Sequence, residues 1–176
     1  IPRFLTHAWL FDRHVITEED RKRAQRYMEN AQRRVVEQAA PSLRDFLKDL
    51  NLSITFSAWT ERDLPRMAQL TQRTNQFNST TIRRSEGELR ALLTSGRLHA
   101  RIVDVTDRFG AYGQVGLMLY QENTDRLQVD TFILSCRALG RGVEHAMARD
   151  LGLMATEACK AGVDIAFAAT AKNKPA

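Results

Sequence analysis

The sequence predicts an α+β protein, a mixed but mostly antiparallel sheet flanked by helices and reached through a helical N-terminal arm. Three observations carry that class. Around residue 51 the hydrophobic pattern changes from helical to alternating, with Leu52, Ile54 and Phe56 separated by polar residues. Three later strand patterns, 98–105, 113–121 and 127–134, are joined by the short turn-rich connections DRFGAYG and ENTD, which predict an antiparallel meander. The meander then meets a glycine-punctuated loop, a helical stretch and a final apolar run, the order of a parallel crossover.

Element by element, Thr17 is placed to cap a helix whose first turn carries Glu18, Glu19 and Asp20, charges that suit the helix dipole. The helical pattern runs to about Ala39 and stops at Pro41. Ser42 then caps a short helix with Leu43, Phe46, Leu47 and Leu50 on one face. Upstream, FLTHAWLFDRHVI is too apolar for a free tail and reads as the edge of a preceding domain. After the first strand, 63–74 reads as a helix that tolerates Pro65 in its first turn and sets Leu64, Met67, Ala68 and Leu70 on its apolar face. TNQFNSTTIRRS is a polar loop, and Ser85 with Glu88 forms a capping box for a helix through Leu93. Beyond the glycine loop, a helix is expected from about Gly142 to Ala161 with Gly162 at its C-terminal cap, followed by VDIAFAA as a short buried strand. The domain boundaries implied are 1–50 for the arm and 51–176 for the sheet domain. Where antiparallel pairing gives way to the crossover the sheet should splay, opening a slot in which an extended ligand arm can pair with strand backbone.

Composition narrows the function classes. With 176 residues, 43% hydrophobic and 27% charged, the chain is one ordinary soluble domain with an appendage, and no apolar run approaches the roughly 20 residues of a membrane span. The net charge of +5 is spread through mixed-sign stretches such as RKRAQRYMENAQRRVVEQ, so solvated helix faces account for it better than nucleic acid does. A basic surface favours an acidic partner or a phosphorylated ligand. Two cysteines and four scattered histidines make neither a disulfide framework nor a metal set, and a reducing cytoplasm is the expected location. Starting at Ile1 without a leader and stopping at AKNKPA, the chain reads as a piece of a longer protein.

The segment richest in chemistry is VDTFILSCRALGRG, residues 129–142. A strand feeds a loop carrying Arg137, Gly140, Arg141 and Gly142, whose backbone N–H groups and following helix N-terminus can hold a phosphate. Cys136 sits at its mouth, either as a nucleophile that forms a thioester or as a small hydrophobe at a strand end. Cys159, mid-helix beside alanines, reads as structural.

From about Asn51 onward the residues resemble the GNAT acyltransferase fold, whose pyrophosphate-loop pattern [QR]-x-x-G-x-[GA] is matched by Arg137, Gly140 and Gly142. The longer strings ERDLPRMAQLTQRTNQFN, VDTFILSCRALGRGVE and TAKN resemble the C-terminal region of FkbH-like proteins, and FDRHVITEEDRKRAQRY resembles the bridge from that family's HAD-like phosphatase domain. The resemblance implies loading of an acyl carrier protein in polyketide-type biosynthesis. Members take a glyceryl unit from 1,3-bisphosphoglycerate, remove phosphate, and pass the acyl group to the carrier's phosphopantetheine thiol. It also implies an upstream phosphatase partner with an Asp-x-Asp motif and magnesium; no such motif occurs here, so neither its carboxylates nor its metal fall on this chain.

On this reading Cys136 is the nucleophile, with Asp130 and Glu144 as further catalytic candidates. Strand alternation puts Asp130, Phe132 and Leu134 on the face that Cys136 continues, although a cross-strand salt bridge is the favoured alternative for Asp130. Glu144 and His145 fall in the first turn of the helix, where either is placed to act as a base. Arg137, Gly140, Arg141 and Gly142 would hold the phosphate of phosphopantetheine or CoA. Asn173, in the TAKN string, would contact the same ligand by analogy with the fold. Asn75, Gln76, Phe77, Asn78 and Thr131 are candidate substrate contacts; alternatively Phe77 plugs its loop onto the core while the amides satisfy turn backbone. No metal is expected. The rival functions are an acetyl-CoA-dependent amine N-acetyltransferase, which needs no cysteine, and a non-catalytic module that only docks carrier protein or CoA.

Overall fold

The computed structural model describes residues 23–173, so the predicted cap at Thr17 and the apolar segment before it lie outside the described residues. The described residues fall into two compact units, divided between Phe46 and Leu47. Helix α1 spans Arg23–Ala39 and α2 spans Leu43–Leu50. In α1 the side chains of Glu29 and Arg33 are buried and 3.7 Å apart, one turn removed from each other, while Tyr27, Met28 and Val35 are exposed. Ser42 caps α2 as expected: its Oγ accepts from Asp45 N–H at 3.2 Å and donates to Asp45 Oδ2 at 2.6 Å. Phe46 and Leu50 are buried, but Leu43 is exposed, because the first residue of a helix points its side chain back past the N-terminus.

The second unit is a five-stranded sheet in the order β1 (Ser53–Ala58), β2 (His99–Asp107), β3 (Gly110–Glu122), β4 (Arg126–Leu134) and β5 (Gly162–Ile165). The first four strands pair antiparallel, as the short connections predicted, and β5 pairs parallel to β4 through the crossover helix α5 (Val143–Glu157). One face of the sheet packs Val103, Val129, Phe132 and Leu134 against Met147 and Leu151 of α5. The other packs Ile102, Leu117, Leu119 and Ile133 against α3 (Leu64–Arg73) and α4 (Glu86–Thr94). Helix α3 begins at Leu64 behind a 3₁₀ turn, Glu61–Asp63, and buries Leu64, Met67, Ala68 and Leu70. The capping box of α4 forms, with Ser85 N–H donating to Glu88 Oε2 at 2.7 Å and Glu88 N–H to Ser85 Oγ at 3.3 Å.

Three features depart from strict periodicity. Register slips between Leu119 and Tyr120 of β3, which face Thr131 and Val129, so Asp130 is an extra residue bulged out of β4. The bulge shifts the phase of the strand: Val129 and Phe132, three apart, share the α5 face. Helix α5 ends at Glu157 rather than Ala161, and Cys159, not Gly162, takes the left-handed conformation with φ +53°. Lys160 N–H then closes onto Ala155 O at 2.8 Å and Cys159 N–H onto Thr156 O at 3.0 Å, the paired bonds that end a helix in a Schellman turn. Gly162 instead opens β5. The strand is also less buried than VDIAFAA suggested, with Ile165 43% and Phe167 55% exposed, because it pairs over only four residues at the sheet's edge.

A stability prediction arises at the helix end. A left-handed residue bearing a Cβ costs roughly 1 kcal/mol, and Cys159 is exposed. Cys159→Gly is therefore expected to stabilise the fold by about 0.5–1 kcal/mol, read as a higher urea midpoint at constant m-value.

Candidate active site

The loop after β4 is built from the end of the sheet upward. Ser135 N–H donates to Val115 O at 2.7 Å, extending the β3 edge past the last β4 rung, and Ala138 N–H closes a turn onto Ser135 O at 2.9 Å. Cys136 and Arg137 occupy the two corners of that turn, while fully buried Ala138 pins it to the core. Cys136 is exposed. Gly140 and Gly142 then take φ of +74° and +79°, the left-handed region that only glycine enters freely, and a Cβ built on either would meet open space. Alternating such residues turns successive N–H groups to one side. The first bond of α5, Ala146 N–H to Gly142 O at 3.1 Å, leaves the N–H groups of Val143, Glu144 and His145 ahead of it.

Side chains around the loop are held rather than splayed. Arg141 lies over the Tyr112 ring at 5.3 Å and donates from Nη1 to Arg137 O, while its buried Nε has no hydrogen-bond partner among the described residues. Glu144 in the first turn of α5 keeps Oε1 3.7 Å from Nδ1 of the exposed His145, and its buried Oε2 is likewise unpartnered among the described residues. Helix α5 is tied to the sheet by Arg101 of β2, whose Nε and Nη2 donate to the two carboxylate oxygens of Asp150 at 2.9 and 3.1 Å.

Asp130 does not share the face of Phe132 and Leu134. The bulge turns it away, and its Oδ1 takes Arg84 Nη2 at 2.8 Å and Thr131 Oγ1 at 2.6 Å. Arg84 Nη1 also donates to Thr131 Oγ1 at 2.9 Å, and the Arg84 backbone is fixed by Thr71 Oγ1 on both its N–H (3.0 Å) and its C=O (3.1 Å). Asp130 is therefore in a salt bridge, but not the cross-strand one expected: its partner Arg84 comes from the loop before α4. Arg84 was not foreseen; its only sequence signal is a charged side chain in a loop that precedes a capping box.

Beyond the rungs that pair β4 with β5 the two chains part as expected, but residues 77–79 occupy the gap and the β4 edge is not bare. Ser79 N–H donates to Phe132 O at 3.1 Å and Leu134 N–H to Phe77 O at 3.0 Å, with Asn78 bridged antiparallel to Ile133. Phe77 packs on Phe132 with ring centroids 5.7 Å apart, which is the plug alternative. Asn78 is buried, its Nδ2 donating to Thr74 O and its Oδ1 accepting from Thr81 N–H. Asn75 Oδ1 accepts from Arg83 Nη2 at 2.7 Å, and Gln76 is exposed. Asn173 is fully buried: Oδ1 accepts from Thr170 N–H and Oγ1, and Nδ2 donates to both Asn78 O and Ala168 O at 2.9 Å. Its hydrogen-bonding capacity is consumed inside the protein, so the structure places it as a clamp on the loop.

On the α3 face of the sheet, near the same end, a polar group surrounds Gln114. Gln114 Nε2 donates to Asp63 Oδ1 at 2.6 Å, and Arg66 donates from Nε and Nη2 to Gln114 O at 3.0 and 2.8 Å. Burial tends to raise the Asp63 pKa, but hydrogen bonds from Thr60 and Gln114 outweigh it and hold the carboxyl below its usual value. Asp104 moves the other way: burial, then the Asp63 charge, raise it, and Arg66 opposes them. A raised folded-state pKa contributes stability that is fully present below the unfolded value of 3.8 and is lost as pH rises through the folded one. Asp104→Asn is thus expected to be more stable than wild type at pH 7, by about 0.3–1 kcal/mol, the scale of a partly exposed charge pair. The gain should vanish below about pH 4, as urea titrations at pH 7 and 3.5 would show.

No group of His, Cys, Asp or Glu residues placed to hold a metal ion occurs among the described residues, and no described helix is long and apolar enough to cross a membrane. An antiparallel sheet with one parallel crossover, a bulged fourth strand, and a left-handed glycine loop leading into the crossover helix make up the α+β architecture expected from the sequence. Solved structures agree. A ribosomal-protein-alanine N-acetyltransferase from Brucella melitensis biovar Abortus 2308 superposes with a TM-score of 0.50 at 17% identity, over 65% of this chain and 80% of that one. A possible acetyltransferase from Clostridium difficile 630 does so with a TM-score of 0.50 at 12% identity, over 69% and 82%. At such identities the likeness establishes the fold. No protein-family model matches the chain, and no curated protein matches its sequence.

Proposed function

We propose that this chain is an acyltransferase domain that loads a small acyl unit, glyceryl by its resemblance to FkbH-like proteins, onto the phosphopantetheine thiol of an acyl carrier protein. The observation that carries this reading is an exposed thiol, Cys136, at the corner of the turn that leads into the left-handed glycine loop. The residues fit a phosphopantetheine or CoA phosphate: Gly140 and Gly142 border open space, and the N–H groups at the start of α5 precede its first internal bond.

In the proposed mechanism Cys136 Sγ attacks the carbonyl of a phosphorylated acyl donor. The S–C bond forms, the bond to the phosphate oxygen breaks, and phosphate leaves. The thiol proton passes to a base, for which Glu144 in the first turn of α5, with its Oε2 unpartnered among the described residues, is the candidate. Attack by the carrier's thiolate then forms the product thioester and releases Cys136 as thiolate. An upstream HAD-like domain would process the donor, and a reducing cytoplasm would keep the thiol free. Incubating the full-length protein with the acyl phosphate donor should give a mass increase of one acyl unit that peptide mapping assigns to Cys136; an adduct mapped elsewhere overturns the route.

One observation favours a second reading, transfer of acetyl from acetyl-CoA to an amine: the solved structures of like fold are described as acetyltransferases. That chemistry passes the acyl group directly to the amine, so a Cys136→Ser variant would keep most of its activity.

A further inference from the structure

Residues 77–79 form a segment with a single antiparallel bridge, Asn78 to Ile133, and are held on both sides. Towards β4, Phe132 N–H donates to Ser79 Oγ at 3.0 Å beside the two backbone bonds already described; on the far side Ala168 N–H donates to Ser79 O at 2.8 Å. Asn173 fastens Asn78 O to the same far side. This piece fills the splay between β4 and the chain after β5. Its seat is imperfect, for Thr81 takes φ +57°, which a β-branched residue enters only under strain, and the buried Thr80 Oγ1 has no hydrogen-bond partner among the described residues.

We propose that Phe77–Ser79 is a self-bound strap, which the acyl-carrying arm must displace to reach the β4 edge. This rests on the reading of the glycine loop as a phosphate grip. From that loop an arm entering the splay runs along Leu134 and Phe132, and its amides need the same Leu134 N–H, Phe132 N–H and Phe132 C=O that the strap holds. Two chains cannot pair with one strand edge. Apparent affinity for the arm is then the intrinsic affinity reduced by the fraction of molecules with the strap released.

The test compares CoA, which has the arm, with adenosine 3′,5′-bisphosphate, which lacks it, using amide exchange by NMR and calorimetric titration of the whole chain. Saturating CoA should speed exchange at Ser79 and Ala168 at least tenfold while Leu134 stays protected; the armless nucleotide should change none of the three. Ser79→Ala, which deprives Phe132 N–H of its acceptor, should bind CoA about fivefold more tightly, the worth of roughly one net hydrogen bond, and the armless nucleotide unchanged. Asn173→Ala, which frees the clamp, should also tighten CoA binding, whereas a residue that contacts the ligand would weaken it. Bound CoA that leaves Ser79 and Ala168 protected, or variants that gain no affinity, overturn the strap. If the armless nucleotide binds and CoA binds no better, the strap falls and the phosphate grip stands; if neither binds, both fall.

Discussion

Cys136→Ala is expected to cut acyl loading of the carrier protein by roughly a thousandfold or more, since a reaction routed through a covalent intermediate loses its acceptor atom with the sulfur. The loss should appear in kcat, with the KM for carrier protein little changed, because the side chain acts on the carbonyl rather than on the carrier's surface. Folding should be spared. The side chain is exposed at a turn corner, and the turn is held by backbone bonds and by buried Ala138, so stability should stay within about 0.5 kcal/mol of wild type. Mass spectrometry of the carrier protein measures the rate directly. A Cys136→Ala protein that still loads at the wild-type rate would mean direct transfer from the acyl phosphate to the carrier's thiol.

Arg84→Ala is expected to destabilise the fold by about 2–3 kcal/mol, or near 8 °C in Tm. The guanidinium has a side-chain exposure of 10% and binds two groups at once, Asp130 at 2.8 Å and Thr131 Oγ1 at 2.9 Å. Truncation leaves the Asp130 carboxylate, 30% exposed, without its counter-charge beside a fully buried threonine. That residual exposure keeps the expected cost below that of a wholly buried pair. Arg84→Lys should recover less than half of the loss, because one ammonium cannot span both partners. Asp130→Asn combined with Arg84→Met should be milder than the sum of the single changes. Thermal unfolding of the four proteins gives the coupling energy, and strict additivity would refute the cluster.

Much of the fold was legible because it rests on local rules. Alternation at Leu52, Ile54 and Phe56, the Ser85 and Glu88 capping box, Pro65 in the first turn of α3 and the antiparallel meander each express a single element's preference and appear in the structure, although the first meander turn is only Arg108 and Phe109, with Gly110 to Gly113 of DRFGAYG already in β3. The pattern of Arg137, Gly140 and Gly142 was equally readable, since left-handed turns demand glycine. Orientation across the bulge was not. One extra residue at 130 resets every later side chain, and nothing in VDTFIL marks where the slip occurs. The loop that covers Phe132 and Leu134 escaped for a related reason: its pairing joins residues more than 50 apart, and backbone bonds leave little trace in side-chain pattern. At the end of α5 a nearby glycine drew the expected cap to itself, while the helix stopped earlier on a cysteine under strain.

The two-pronged grip of Arg101 on Asp150 gives α5 a fixed angular setting. Asp150 stands seven residues past Val143, about 10 Å along the axis, and a helix twists little over so short a length. A cylinder latched there cannot roll on the sheet, so the bearing of its leading amides is dictated by a strand on the other side of β3. If the glycine loop grips phosphate as proposed, aim at an incoming anion is settled before that anion arrives, and marksmanship at this end of the molecule belongs as much to β2 as to the glycines.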